Sequence, residues 1–142
     1  MNIDGSGVLL TGASSGIGRS LALALGARGA RLAIAARRRD ALEQVADEIA
    51  AHGGERPVVL ATDLSHRGAA AQLASDAREA LGHVDVLINN AGVGVGGTQW
   101  AVGDRDEGRE VLETNFWSPL ALVQALVPAM RERRDGAVVN VT

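Results

Sequence analysis

A chain of 142 residues, 46% hydrophobic and 22% charged, is long enough to bury one core and has the make-up of a soluble globular protein. A net charge of -3, with all 14 basic residues Arg, argues against a nucleic-acid partner, and the lack of Cys excludes disulfides and thiolate metal sites. His52, His66 and His83 show no ligand spacing, so no metal is expected, and solvated surface is the better reading of each. The first seven residues lack the layout of a signal peptide and no apolar run is long enough to span a membrane. A cytoplasmic location is the default. Phe116, Trp100 and Trp117 are the only aromatic residues, which leaves the core to Ala, Val, Leu and Ile.

Strand-like apolar runs alternate with helical patterns from end to end. Residues 7–11 read as a buried strand. Ile17, Leu21, Ala24 and Leu25 then recur at helical spacing, with Gly29 where a C-terminal cap belongs. Residues 31–36 form a second strand. Asp40 and Glu43 have the spacing of a capping box for a helix with Leu42, Val45 and Ile49 on its inner face. A third strand over 57–61 precedes a helix marked by Ala69, Leu73, Ala77 and Leu81 and closed by Gly82. Residues 84–88 form the fourth strand. A long helix over 106–133 follows, with Val111, Leu112, Phe116, Leu120, Val123, Val127 and Met130 expected on its apolar side, and 137–141 is the fifth strand. Continuous apolar strands alternating with helices predict an α/β fold, a Rossmann-type doubly wound parallel sheet in three α/β/α layers. No repeat, linker or low-complexity segment interrupts it, so residues 1–142 read as one dinucleotide-binding domain.

The first strand runs into Thr11-Gly-Ala-Ser-Ser-Gly-Ile-Gly18, which opens the first helix. Gly12, Gly16 and Gly18 suit a tight turn, close backbone approach and close helix packing. A pyrophosphate would then sit on the helix N-terminus beside Ser14, Ser15 and Ile17. A glycine motif alone is weak, but its place between strand and helix at the start of a βαβ unit strengthens it. Thr62-Asp-Leu64 ends the third strand, Asn89-Asn-Ala-Gly92 the fourth, Glu113-Thr-Asn115 lies in the long helix, and Val138-Val-Asn-Val-Thr142 closes the chain. In this order and spacing the motifs resemble the short-chain dehydrogenase/reductase family across essentially the whole chain.

The resemblance implies an oxidoreductase moving a hydride between a nicotinamide cofactor and a carbonyl or alcohol substrate. It implies that Asp63 contacts adenine beside Leu64, although Asp63 could equally cap the following helix. Asn90, Ala91 and Gly92 would line the cofactor channel, where small residues leave room for a flat ring at the topological switch point. One Asn of the 89–90 pair could serve only to hold the central strands together. Asn115 would belong to the family's Asn-Ser-Tyr-Lys active site. Pro119 cannot donate to the Asn115 carbonyl four residues earlier, so the helix is expected to kink there, and in the family that carbonyl holds a water of the proton relay.

Arg37 bears on the choice of nicotinamide. An acidic residue ending the second strand would bond the ribose hydroxyls of NAD, but Ala36 stands there, followed by Arg37, Arg38 and Arg39. Three cations at an already positive helix start suit a 2′-phosphate, so NADP is favoured over NAD. A solvated basic helix start is the bland alternative, and Ser15 is not the extra basic residue that some NADP-using members carry.

Thr142 matches the first residue of the family's Ser pair, whose second member is catalytic and would come next, so the fold is expected to be incomplete beyond its fifth strand. No Tyr or Lys occurs in the 142 residues, so the family's Tyr-x-x-x-Lys pair has no counterpart here. The expectation is a family oxidoreductase whose catalytic Ser, Tyr and Lys lie outside this stretch, inactive as it stands and a homo-oligomer at full length. A non-catalytic dinucleotide-binding or interaction protein is the alternative. A methyltransferase is discounted, since it would want an acidic residue ending the second strand. The substrate cannot be read from these residues. Trp100 and Trp117 are better explained by aromatic packing or a subunit contact than by substrate binding.

Overall fold

In a computed structural model, residues 2–94, 96 and 106–142 can be described; Trp100 lies outside them. The elements are β1 (Gly7–Thr11), α1 (Gly16–Gly26), β2 (Arg31–Ala36), α2 (Arg39–Ala51), β3 (Val58–Ala61), α3 (Ala69–Leu81), β4 (Val86–Asn89), α4 (Asp106–Leu112), a π-helical turn (Glu113–Trp117), α5 (Ser118–Arg133) and β5 (Ala137–Asn140). The strands are all parallel in the order β3-β2-β1-β4-β5. This is the expected doubly wound sheet. Its order reverses direction between β1 and β4, and there a crevice must open at the carboxyl ends of the strands.

Strand alternation divides the core between the two faces. Leu9 and Leu87 point into a layer with Leu73, Ala77, Leu122 and Leu126 from α3 and α5. Val8, Leu10, Ile34 and Ile88 point into the opposite layer with Ala22, Leu42, Val45 and Ile49 from α1 and α2. Both faces of β1 are therefore apolar and all five of its residues are buried, as a central parallel strand requires. Small side chains let the helices lie close: a Cβ on Gly26 would meet Ile49 of α2 at 2.6 Å.

Local expectations fail in three places, each for a physical reason. Asp40 does not cap α2. It lies within the first helical turn, Arg38 occupies the cap position, and Glu43 turns outward to pair with Arg56 at 2.6 Å and Arg39 at 3.5 Å. Nor does Asp63 cap α3, because the seven-residue connection from β3 ends on Gly68, whose φ of 89° starts the helix without a side-chain bond. The third departure is the long helix. The expected kink is a π-helical turn, in which the Ser118 N–H reaches back five residues to the Glu113 carbonyl. A proline one residue on has no N–H to donate and its ring crowds the Asn115 carbonyl, so the wider turn accommodates it.

Only part of the expected apolar side meets the core: Met130 is buried in it and Val123 and Val127 pack against it. Buried residues are Thr114, Ser118, Leu122, Leu126 and Met130, whereas Leu112, Phe116 and Leu120 face outward at 58%, 54% and 38% exposure. Val111, Val123 and Val127 are half-buried. Phe116 meets Trp117 edge to face at 4.9 Å on this outer surface.

α5 ends in a Schellman arrangement. The Arg134 N–H bonds the Arg131 carbonyl and the Asp135 N–H the Met130 carbonyl, both at 3.1 Å. Arg134 takes a left-handed φ of 57°, alone among the described non-glycine residues. The expected result of Arg134→Gly is a gain of about 1 kcal/mol, the usual penalty of a side chain in that region, read as a raised midpoint in thermal or urea unfolding.

Candidate functional site

At the switch point a cleft of about 880 Å³ opens between the β1–α1 turn, the ends of β2 and β3 and the segment after β4. Its size is that of a site for a small molecule or cofactor. Of the residues singled out in the sequence, Gly12, Ser14, Ser15, Ile17, Gly18, Arg37, Asp63, Leu64, Asn90, Ala91 and Gly92 all line it. Gly16 and Asn115 do not.

Hydrogen bonds from β4 hold the turn at the base of the cleft. The buried Thr11 hydroxyl accepts the N–H groups of Asn90 at 3.1 Å and Ala91 at 3.0 Å. In return the Asn90 amide donates to the Thr11 and Gly12 carbonyls at 3.0 and 3.2 Å. On the other side Gly12 and Ala13 donate to the Ala35 carbonyl at 2.7 and 3.2 Å. The glycines are dictated by this packing. A Cβ on Gly12, at φ 70°, would lie 2.8 Å from the Ala91 Cα, and one on Gly18 would fall on the Gly12 carbonyl oxygen. Gly16 differs, since its φ of 54° demands glycine conformationally while a Cβ there would meet nothing.

The turn delivers the start of α1 to the cleft as a positive end. No side chain caps it and its first turn has no acidic residue, so the free N–H groups and the Ser14 and Ser15 hydroxyls are available to an anion. Arg37 and Arg38 line the neighbouring wall, whereas Arg39 starts α2 and pairs with Glu43. The three arginines are thus not equivalent. Donors, cations and glycine-narrowed walls together fit the phosphates and flat rings of a dinucleotide.

Asp63 stands beside Arg37 and Arg38, after the neighbouring strand β3. Its Oδ1 accepts the Ser65 N–H at 3.0 Å and the Ser65 hydroxyl at 2.8 Å, an Asx-type turn, while Oδ2 lies 3.6 Å from the His66 ring. Burial pushes the carboxyl up, but the two Ser65 bonds and the charges of His66 and Arg37 outweigh it and hold the group below its usual range.

Asn89 and Asn90 both bind strands together, in different seams. Asn90 joins β4 to β1, and the Asn89 amide donates to the Asn140 side chain of β5 at 2.9 Å, leaving the buried Asn89 Oδ1 without a partner among the described residues. Asn115 acts on the segment after β4. Its Oδ1 accepts the Val93 N–H at 2.9 Å and its Nδ2 donates to the Val93 carbonyl at 2.8 Å. The side chain is a clamp on the backbone that forms the cleft wall.

Sequence reasoning missed Thr62, Ser65, Val93, Glu107, Glu110, Val111 and Thr114, which also line the cleft, and the Thr11 hydroxyl beneath it. Ser65 carried a signal, since a Ser two residues after an Asp is the spacing of an Asx turn. Thr11, Thr62 and Thr114 stand within the sequence motifs and Val93 directly follows one, whereas Glu107, Glu110 and Val111 come from a helix distant in sequence from the glycine turn and carried none.

With a parallel sheet reversing at the cleft and a glycine turn leading into the first helix, this is the architecture of a Rossmann-type fold. The family model for short chain dehydrogenases matches residues 6–142. The chain is 43% identical to dehydrogenase/reductase SDR family member 7B of Bos taurus, covering 95% of this chain and 43% of that protein. It is 37% identical to a fatty acyl-CoA reductase of Mycobacterium tuberculosis, covering 99% of this chain and 48% of the relative. A metagenomic short-chain oxidoreductase solved in complex with NADP superposes with a TM-score of 0.92 at 38% identity, over 100% of this chain and 63% of the other. A 7α-hydroxysteroid dehydrogenase complexed with NADH superposes at 0.86 and 30% identity, over 99% of this chain and 55% of the other. The chain belongs to the short-chain dehydrogenase family, and it spans under half the length of these curated relatives.

The Asp63 turn yields a prediction. A folded-state pKa held below the unfolded value stabilises fully above the unfolded value, about 4, and the contribution is lost as pH falls through the lower folded value. Ser65→Ala removes one of the two bonds, so the Asp63 carboxyl resonance in an NMR titration should move its midpoint upward, toward the ordinary carboxylate value. An unmoved midpoint would assign the depression to the remaining backbone N–H bond and the charges of His66 and Arg37.

Proposed function

We propose that this chain is the dinucleotide-binding part of an NADP(H)-dependent oxidoreductase acting on a carbonyl or alcohol substrate. The observation that carries the reading is the placement of Arg37 and Arg38 on the cleft wall where β2 ends in Ala36 with no acidic side chain. A carboxylate there would repel a 2′-phosphate, and a guanidinium meets it with paired donors. The relative solved with NADP supports the same choice.

In this reading Ser14, Ser15 and the N–H groups of Gly16, Ile17 and Gly18 take the pyrophosphate at the start of α1. Arg37 takes the 2′-phosphate, and Asp63 with Leu64 faces the purine. Asn90, Ala91 and Gly92 leave room for the ring beyond. Bound NADP(H) supplies the hydride carrier at the nicotinamide C4. Asn115 contributes twice, its side chain fixing Val93 and its carbonyl, which Pro119 cannot engage, serving the proton relay. The proton itself needs a donor near neutral pH, and these 142 residues hold neither Tyr nor Lys to provide one. Association of copies is part of the proposal, supported by the outward Leu112, Phe116, Trp117 and Leu120.

Two measurements test this. In a binding titration Arg37→Ala should weaken NADPH by about 1.5–3 kcal/mol, as for a lost charge-assisted contact, while NADH barely moves. Equal loss for both nucleotides would remove the assignment. Purified as it stands, the 142-residue chain should bind NADPH weakly and show no loss of absorbance at the reduced-nicotinamide band with ketones or aldehydes. Losing general acid–base help alone costs about 10²–10⁴-fold in rate. Robust turnover free of host reductase would mean that the proton donor is among these residues.

A further inference from the structure

Ser118 stands at the join between the π-helical turn and α5, and only 1% of it is exposed. Its hydroxyl donates to the Leu64 carbonyl at 2.8 Å, a bond between residues 54 apart in sequence. Leu64 follows β3 directly after Thr62 and Asp63, in the connection to α3, where a carbonyl has no strand ladder to satisfy it. Thr114, buried on the same side of the helix, lines the cleft beside the same loop. The bond therefore ties the loop carrying Asp63 and Ser65 to the helix carrying Asn115.

The loop needs such a tie. β3 is an edge strand, and beyond it the described backbone bonds are few: Thr62 to the Ala36 carbonyl at 2.9 Å, His66 to the Asp63 carbonyl at 3.3 Å and Ala69 to the His66 carbonyl at 3.1 Å. Of these, only the first joins the loop to an element other than α3. Ser65 fixes the Asp63 carboxylate relative to the loop, but not the loop relative to the cleft. Leu64, 6% exposed, packs into the layer shared with Leu73, Leu122 and Leu126, a contact that resists withdrawal from the core but gives little direction. A single directed bond from a rigid helix supplies what apolar packing does not.

We infer that Ser118 is a positioning residue for the purine half of the dinucleotide, holding the Leu64 carbonyl so that the Asp63 carboxylate is aimed at the exocyclic amine of adenine. The inference rests on the proposed cofactor reading and deepens it. Thr114 and Ser118 continue the buried stripe of Leu122, Leu126 and Met130, so the same stretch of helix presents Asn115 to Val93 and Ser118 to Leu64.

The test compares NADPH with its hypoxanthine analogue, which lacks the exocyclic amine, by fluorescence titration of the chain. The unaltered protein should prefer adenine by about tenfold, the worth of one charge-assisted hydrogen bond. Ser118→Ala should erase the preference, Asp63→Ala, which removes the acceptor, should erase it as well, and Ser118→Thr, which keeps the hydroxyl, should retain it. Leu122→Ala serves as a control for lost stability, with a lowered melting temperature and an intact preference. A Ser118→Ala chain that weakens both nucleotides equally, or neither, overturns the inference while the cofactor reading stands. An unaltered chain without adenine preference overturns the role of Asp63 and the inference with it. An unaltered chain that binds neither nucleotide overturns the cofactor reading itself.

Discussion

The buried hydroxyl of Thr11 is the point on which the cleft is built. It sits at the last position of the central strand, where the ladder to β4 ends and two part-buried N–H groups, those of Asn90 and Ala91, no longer have a strand partner. Because the hydroxyl takes both, β4 can turn away from the sheet within one residue of its end, and the turn opens the crevice. Asn90 reciprocates through its amide, binding the Thr11 and Gly12 carbonyls. The backbone groups at the strand ends thereby find partners without water, and buried groups left unpaired would each cost about 1–3 kcal/mol.

Several features follow from that seam. With β1 and β4 held together at their ends, the glycine turn has no room for side chains at positions 12 and 18. The start of α1 is then fixed against the cleft with its first amides free. The same geometry places Val93 within reach of Asn115, whose amide brackets its N–H and carbonyl. A long helix of uniform α geometry would carry Pro119 against the Asn115 carbonyl. The π-helical turn removes that conflict, and two small polar residues, Thr114 and Ser118, head the buried stripe that Leu122, Leu126 and Met130 continue.

Electrostatics complete the arrangement without burying an unpaired charge. Arg37 and Arg38 are exposed at the end of β2 and Asp63 is half-buried after the neighbouring β3, its charge compensated chiefly by the Ser65 turn. At the opposite end of the sheet, Asp85 accepts the Gly7 N–H at 2.9 Å and faces His83 at 3.3 Å and Arg133 at 3.4 Å, which ties β1, the approach to β4 and the end of α5 together. Charges at this end close the scaffold, and charges at the cleft face what it would hold. The split matches the rule that ligands of open α/β sheets lie at the carboxyl ends of the strands.

Period and motif were enough to read the strand and helix alternation, the sheet type, the glycine turn and most of the cleft lining, because those features are local. A buried parallel strand is a continuous apolar run, and a glycine turn between strand and helix occupies eight consecutive residues. The fate of the polar side chains was not local. That Asp40 and Asp63 cap nothing, that Leu112, Phe116 and Leu120 lie outward, and that Ser118 reaches Leu64 across 54 residues depends on where other elements pack. Helical spacing shows which residues share a face, but the core chooses the face. Here a widened turn at a proline made that choice, and only the packed structure could show it.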